Sequence, residues 1–197
     1  MPGEDLNRLT DAEIMKRLRT NAQDHNSARY SALRAASVLI PLLRREDAWH
    51  VLYTRRTETL TSHKGQVSFP GGAADPGDPS PEMTALREAY EEIGLKGEDT
   101  KLLGTLDRRP TISQFLVTPV VARIPWPYPF QLSSTEVSRV FTIPLAWLAD
   151  PSHREERPHN VPGGYYEKVI YYQPYDGEIL WGATARITVD LLEVLDG

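Results

Sequence analysis

The stretch from Ser80-Pro81-Glu82 to Gly94 defines a helix at both ends before anything else about the chain is known. Serine suits the cap, because its hydroxyl can accept from a free backbone N–H of the first turn. Proline suits the first helical position, where its missing N–H costs nothing. Gly94 offers the left-handed conformation in which helices commonly end. Between these ends Met83, Leu86, Tyr90 and Ile93 recur at spacings of three and four, which predicts an apolar stripe facing a core. The same helix carries Arg87-Glu88-Ala89-Tyr90-Glu91-Glu92. Glu88, Glu91 and Glu92 lie on one side of it, at spacings where like charges repel.

Two readings account for three crowded carboxylates. One is a solvated helix face, relieved by Arg87 pairing with Glu91 one turn on. The other is a site for a hard cation, since carboxylate oxygens suit Mg²⁺ or Mn²⁺ and can hold ions alongside substrate phosphates. The preceding segment favours the cation. Gln66-Val67-Ser68-Phe69 reads as a short strand ending at Pro70-Gly71-Gly72, where bare backbone can turn sharply and approach a ligand closely. Asp75 and Asp78 make the following loop acidic.

Elsewhere the pattern is that of an α/β chain. Ala35 to Ile40, Trp49 to Arg56, Lys101 to Leu106, Phe115 to Ile124 and Lys168 to Tyr172 read as strands. Asp11 to Leu18 (capped by Thr10), Pro144 to Ala149 and Ala183 to Leu195 read as helices. The chain has 197 residues and no cysteine, which removes disulfides, thiolate ligands and thiol nucleophiles together. The absence of cysteine fits a reducing compartment, and with no secretory signal or bilayer-length apolar run the expected location is cytoplasmic, with no membrane partner. A formal charge of −5 argues against nucleic acid as a partner. There is no Gly-x-Ser-x-Gly elbow and no P-loop. The histidines His25, His50, His153 and His159 show no ligand spacing.

The composite of Gly72, Asp78 and Arg87-Glu88-x-x-Glu91-Glu92-x-Gly94-Leu95 resembles the Nudix box. Three positions depart from the common box: Asp78 stands for glutamate, Arg87 lies one residue further from it, and Ala89 replaces a larger aliphatic residue. A second segment, Leu52-Tyr53-Thr54-Arg55-Arg56, then Gly65 and Phe69-Pro70-Gly71-Gly72, is similar to the signature preceding the box in coenzyme A pyrophosphatases, with Thr57 and Thr61 as departures from it. Ile179 to Ala185 is also similar to a segment of that branch.

This resemblance, covering roughly Val38 to Leu195, implies an α/β/α sandwich with a mixed β-sheet. It implies a single domain over residues 1–197, with a helical N-terminal extension (1–31) and the box at 72–95. It implies hydrolysis of the pyrophosphate bond of coenzyme A, or its acyl esters, to 3′,5′-ADP and 4′-phosphopantetheine or its acyl form. It also implies Mg²⁺ or Mn²⁺ held by Glu88, Glu91, Glu92 and Gly71, with Glu88, Glu91 and Arg87 as catalytic residues and Glu91 as the choice for general base. Strand alternation sends Arg55 and Arg56 to opposite faces. Arg56, which matches the signature, is the choice for a phosphate contact, and Arg55 is assigned to the surface. His63 and Lys64 are candidates for a further phosphate, as is Arg108-Arg109. The aromatic pairs Tyr165-Tyr166 and Tyr171-Tyr172 are candidates for stacking on adenine. The alternatives are the same reaction on ADP-ribose or a dinucleotide, and a non-catalytic nucleotide-binding module, which retention of all three glutamates disfavours. A small-molecule diphosphate is the expected partner, with a homodimer left open.

Overall fold

The structure is a computed structural model that describes residues 5–21, 30, 32–58, 64–161 and 165–197, with the side chains of 21, 160, 161 and 165–167 outside the description. Strand β1 (Arg34–Arg45) organises the sheet. It is apolar along most of its length and buried on both faces, as a strand covered by helices on each side must be. It runs parallel to β7 (Phe115–Arg123). Its other edge is shared: the C-terminal part pairs antiparallel with β2 (Ala48–Arg56), and the N-terminal part with β4 (Gly71–Ala73). Pro41 falls between those two pairings. Leu39, two residues earlier, directs its N–H to the Pro70 carbonyl at 2.8 Å, so the missing N–H of Pro41 faces the gap and forfeits no ladder bond.

Strands β3 (Val67–Ser68) and β8 (Val137–Pro144) add antiparallel to β2, while β5 (Lys101–Thr105) and β6 (Arg109–Pro110) add antiparallel to β7. The sheet is therefore mixed. Helix α2 (Pro81–Ile93) covers one face, packing Ala85, Ala89 and Ile93 on Leu39, Leu43, Leu52, Val120 and Ala122. Helices α1 (Asp11–Asn21), α3 (Leu145–Ala149) and α4 (Gly182–Asp196) cover the other, over Ile40, Leu42, Val51, Tyr53 and Val121. The expected sandwich is present. A hairpin of β9 (Arg154–Val161) and β10 (Tyr165–Tyr172) stands beside α4. No helix among the described residues is long and apolar enough to cross a membrane.

Several local expectations are corrected. The Met83, Leu86, Tyr90, Ile93 stripe is not the core face of α2: Met83 is 46% and Tyr90 58% exposed, and only Ile93 is fully buried. The buried face is Thr84, Ala85, Ala89, Glu92 and Ile93. Small side chains there bring the helix backbone close to the sheet and carry the carboxylates inward with it. The Pro70-Gly71-Gly72 segment is not simply a turn, since Gly71–Ala73 is itself a ladder strand. The described part of the N-terminal extension packs on the sheet, with Leu6, Leu9, Ile14 and Leu18 all buried in the core. Strands β8 and β9 were not anticipated.

Candidate active site

Gly71 passes β1 so closely that a Cβ there would lie 2.4 Å from the Ser37 carbonyl oxygen and 2.6 Å from the Val38 Cα. At Gly72 a Cβ would lie 2.5 Å from the Glu88 carboxylate, so that carboxylate rests against bare backbone. One turn further along α2, Glu92 accepts from the Gly71 N–H at 3.3 Å. Glu92 is 3% exposed. Burial pushes its pKa up to about 8, with Glu136 and Glu88 adding to the rise and Arg56 and the Gly71 N–H opposing it. Burial also raises Glu88, against the pull of Arg87. Glu91 is the exposed member of the three.

Arg87 organises these groups. It forks onto Asp78, with Nε to Oδ1 at 3.2 Å and Nη2 to Oδ2 at 2.9 Å, and Nη2 also donates to the Ala73 carbonyl at 3.1 Å. Its Nη1 donates to Glu88 at 2.9 Å and to Glu91 at 3.2 Å. Asp78 accepts in addition from the Thr84 hydroxyl (2.9 Å) and the Asp75 N–H (3.0 Å). These bonds, with Arg87 first, hold its carboxyl well below the usual carboxylate range. The shorter acid and the longer spacing are thus absorbed by the Asp75–Asp78 turn, and Asp78 grips Arg87 in a bidentate fork.

Arg56 reaches the same place from the end of β2, with Nη1 3.7 Å from Glu92 Oε1. Its Nε is buried and meets no acceptor among the described residues. Lys64 is exposed in the turn before β3, and His63 lies outside the described residues, as do Thr61, His25 and the side chains of Tyr165-Tyr166. Arg55, assigned to the surface, is instead bonded to the buried Glu178 at 3.0 Å. Arg109 is committed to Asp190 by two bonds, 2.7 and 2.6 Å, that fasten β6 to α4. Tyr172 is buried, and the Tyr171 ring already stacks on Trp181 and carries the Arg157 guanidinium over it. One acid went unread in the sequence. Glu136 lies just ahead of β8, its carbonyl accepting from the Thr57 N–H at 2.9 Å, and its charge bears on both Glu88 and Glu92. No motif marks it; only the β2–β8 pairing brings it in.

Among the described residues no three acidic or imidazole groups converge as a ready-made metal cage, because Glu88 and Glu91 are turned to Arg87. The donor set nonetheless fits a hard divalent cation. It is carboxylate oxygen throughout, it rests on glycine backbone, and ionising its most buried member is costly enough that burial raises its pKa even with Arg56 nearby.

Residues 33–164 match the NUDIX domain. The chain belongs to the Nudix family. Relatives in this family include two proteins called "Uncharacterized Nudix hydrolase NudL". The one from Cronobacter sakazakii is 39% identical over 165 residues, 80% of this chain and 81% of its own length. The one from Yersinia pestis is 37% identical over 174 residues, 85% of this chain and 82% of its own. Two solved structures share the Nudix fold. A MutT/nudix family protein from Enterococcus faecalis matches with a TM-score of 0.52 at 15% identity, over 100% of this chain and 75% of that one. The M. smegmatis Nudix hydrolase RenU matches with a TM-score of 0.50 at 22% identity, over 59% and 74%. A Nudix hydrolase acts on nucleoside diphosphate derivatives, and divalent metal dependence is general in the family.

Proposed function

We propose that this Nudix hydrolase cleaves the pyrophosphate bond of coenzyme A or its acyl esters, giving 3′,5′-ADP and 4′-phosphopantetheine or its acyl form. The observation that carries the reading is Arg56. It belongs to the segment that resembles the coenzyme A pyrophosphatase signature, and its guanidinium stands beside Glu92 with a buried Nε lacking an acceptor. A diphosphate oxygen is the kind of acceptor that N–H needs.

Glu88, Glu92, Glu91 and the backbone of Gly71 would hold Mg²⁺ or Mn²⁺, with Glu136 adding a carboxylate. Bound there, the ions neutralise carboxylates and phosphates together, polarise the phosphoryl oxygens and acidify a bound water. Arg56 binds and orients the diphosphate. Arg87 keeps Glu88 and Glu91 aligned through its grip on Asp78, acting on the reaction through the carboxylates it holds. Glu91 is the assigned general base, because it is the most exposed of the three helix glutamates. Low-dielectric surroundings at Glu88 and Glu92 strengthen every charge interaction made there.

A product assay tests the reading: coenzyme A, an acyl-coenzyme A, ADP-ribose and a dinucleotide, each with Mg²⁺, with Mn²⁺ and with EDTA. Formation of 3′,5′-ADP from coenzyme A, abolished by EDTA, is the expected result. Faster turnover of ADP-ribose, with coenzyme A inert, would replace this reading with the rival substrate.

A further inference from the structure

Strand β8 slips by one residue against β2: Arg55 faces Arg139, but Arg56 faces Val137. Ser138 is the extra residue, a β-bulge. Its effect is visible in the packing, because Val137 and Val140 both lie among the apolar residues beneath α2. Three steps of a regular strand would send them to opposite faces. The bulge is therefore what returns Val137 to the α2 side, directly after the Ser133–Val137 turn that carries Glu136.

The slip is fastened from two directions. The Ser138 hydroxyl donates to the Arg55 carbonyl at 3.1 Å and lies 3.5 Å from the Arg56 carbonyl, the two groups beside the irregularity. On the sheet face away from α2, Arg55 and Arg139 stand opposite each other, an arrangement that repels unless bridged. Glu178 bridges them. Its side chain is 7% exposed and accepts from Arg55 at 3.0 and 3.2 Å and from Arg139 at 3.4 Å. Arg55 also bonds Glu58 at 2.8 Å, and Arg139 pairs with Asp176. Bulges near active sites commonly re-aim a side chain. Here the side chain left free of this network, and directed to the α2 face, is Arg56.

We propose that Ser138 and Glu178 are positioning residues for substrate. By fixing the bulged end of β2 from its backbone and from its far face, they hold the Arg56 guanidinium where it receives the diphosphate. Neither touches the ligand. The inference rests on the phosphate-binding role of Arg56 given above.

The test is a double-mutant cycle of Ser138→Ala and Glu178→Gln, each alone and combined with Arg56→Ala. kcat and KM are measured on coenzyme A (on ADP-ribose if coenzyme A is not cleaved), with melting temperature alongside. Ser138 is exposed, so its alanine variant keeps the test open even if Glu178→Gln folds poorly. Each single variant should raise KM about 5- to 20-fold with kcat within about twofold. In the Arg56→Ala background the same changes should leave KM where Arg56→Ala alone puts it, because the guanidinium they position is gone. A raised KM in Arg56→Ala with normal KM in both positioning variants overturns the inference and leaves the reading of Arg56 standing. Multiplicative KM effects in the double variants also overturn it, since they would show action independent of Arg56. An unchanged KM in Arg56→Ala itself removes the phosphate role and the inference with it.

Discussion

The Arg56 guanidinium and the Glu92 carboxylate stand 3.7 Å apart, one from a strand end and one from a helix, with Glu92 almost wholly out of water. That separation is too long for a good hydrogen bond and short enough for a charge interaction. The pair is under-satisfied on both sides. The carboxyl titrates high despite its cationic neighbour, and the arginine keeps an N–H without an acceptor. On the proposed reading, a cation would take up the carboxylate and a phosphate the free N–H.

The stability consequence can be measured at Glu92. Its folded-state pKa is raised from 4.5 to about 8, so the protonated carboxyl is the favoured form in the fold. Its contribution is fully present below pH 4.5 and is lost as pH rises through about 8. In EDTA, the wild-type melting temperature should therefore fall more between pH 6 and 9 than that of Glu92→Gln, which has no proton to lose. In saturating Mg²⁺ the same variant should lose about 10²-fold or more in kcat, roughly 2.7 kcal/mol of barrier. Parallel stability curves for the two proteins would show that Glu92 does not titrate high, and a near-normal kcat would make it structural.

Metal binding should release a proton. At neutral pH the metal-free Glu92 is mostly protonated, and a ligand carboxylate must be ionised. Calorimetry in buffers of different ionisation enthalpy should detect release of about one proton per site near pH 7, falling toward zero above pH 9. Mg²⁺ affinity should rise with pH over the same interval. Buffer-independent heats at pH 7 would contradict this.

The two neighbouring glycines should fail in different ways. A methyl at Gly71 meets backbone of β1, which cannot move without breaking the β4 ladder, so Gly71→Ala should cost about 1–3 kcal/mol and lower the melting temperature. At Gly72 the methyl meets only the far end of the Glu88 side chain, which can swing away. Gly72→Ala should therefore melt near wild type and yet lose at least about tenfold in kcat, because Glu88 has been displaced. Equal melting temperatures for the two variants would sink the distinction.

On α2, the residues that look apolar from the sequence should be expendable. Met83→Ser and Tyr90→Ser should each change stability by less than about 0.5 kcal/mol, since both side chains are largely in solvent. Ala89→Leu should cost about 1–3 kcal/mol by forcing the helix off the sheet. Urea melts of the three variants decide it, and the reverse order would restore the stripe as the core face.

What the sequence disclosed and what it hid divide along physical lines. The ends of α2 were legible because capping is local: Ser80 accepts from the Met83 N–H, and Gly94 takes the left-handed conformation with φ 69°. β1 and β7 were legible because strands buried on both faces are apolar throughout. The buried face of α2 was not, because alanine gives a weaker apolar signal than Met83 or Tyr90, and glutamate is rarely buried unless paired. β8 escaped because its bulge breaks the two-residue alternation, and β9 because Arg154-Glu155-Glu156-Arg157-Pro158 is charged and carries a proline. Glu136 and Glu178 belong to the long-range pairing of strands, and no local pattern announces either.

Helix α2 leaves Met83 and Tyr90 in solvent while it buries Glu92 beside Ala85, Ala89 and Ile93. A site in an open cleft must expel water with a separate lid before its charges act at full strength. Here the helix that supplies the carboxylates also supplies their dry wall, so the poor solvation that makes them reactive toward a cation is built into one element. Any change that eases the burial of Glu92 would therefore also lower its need for a positive charge alongside.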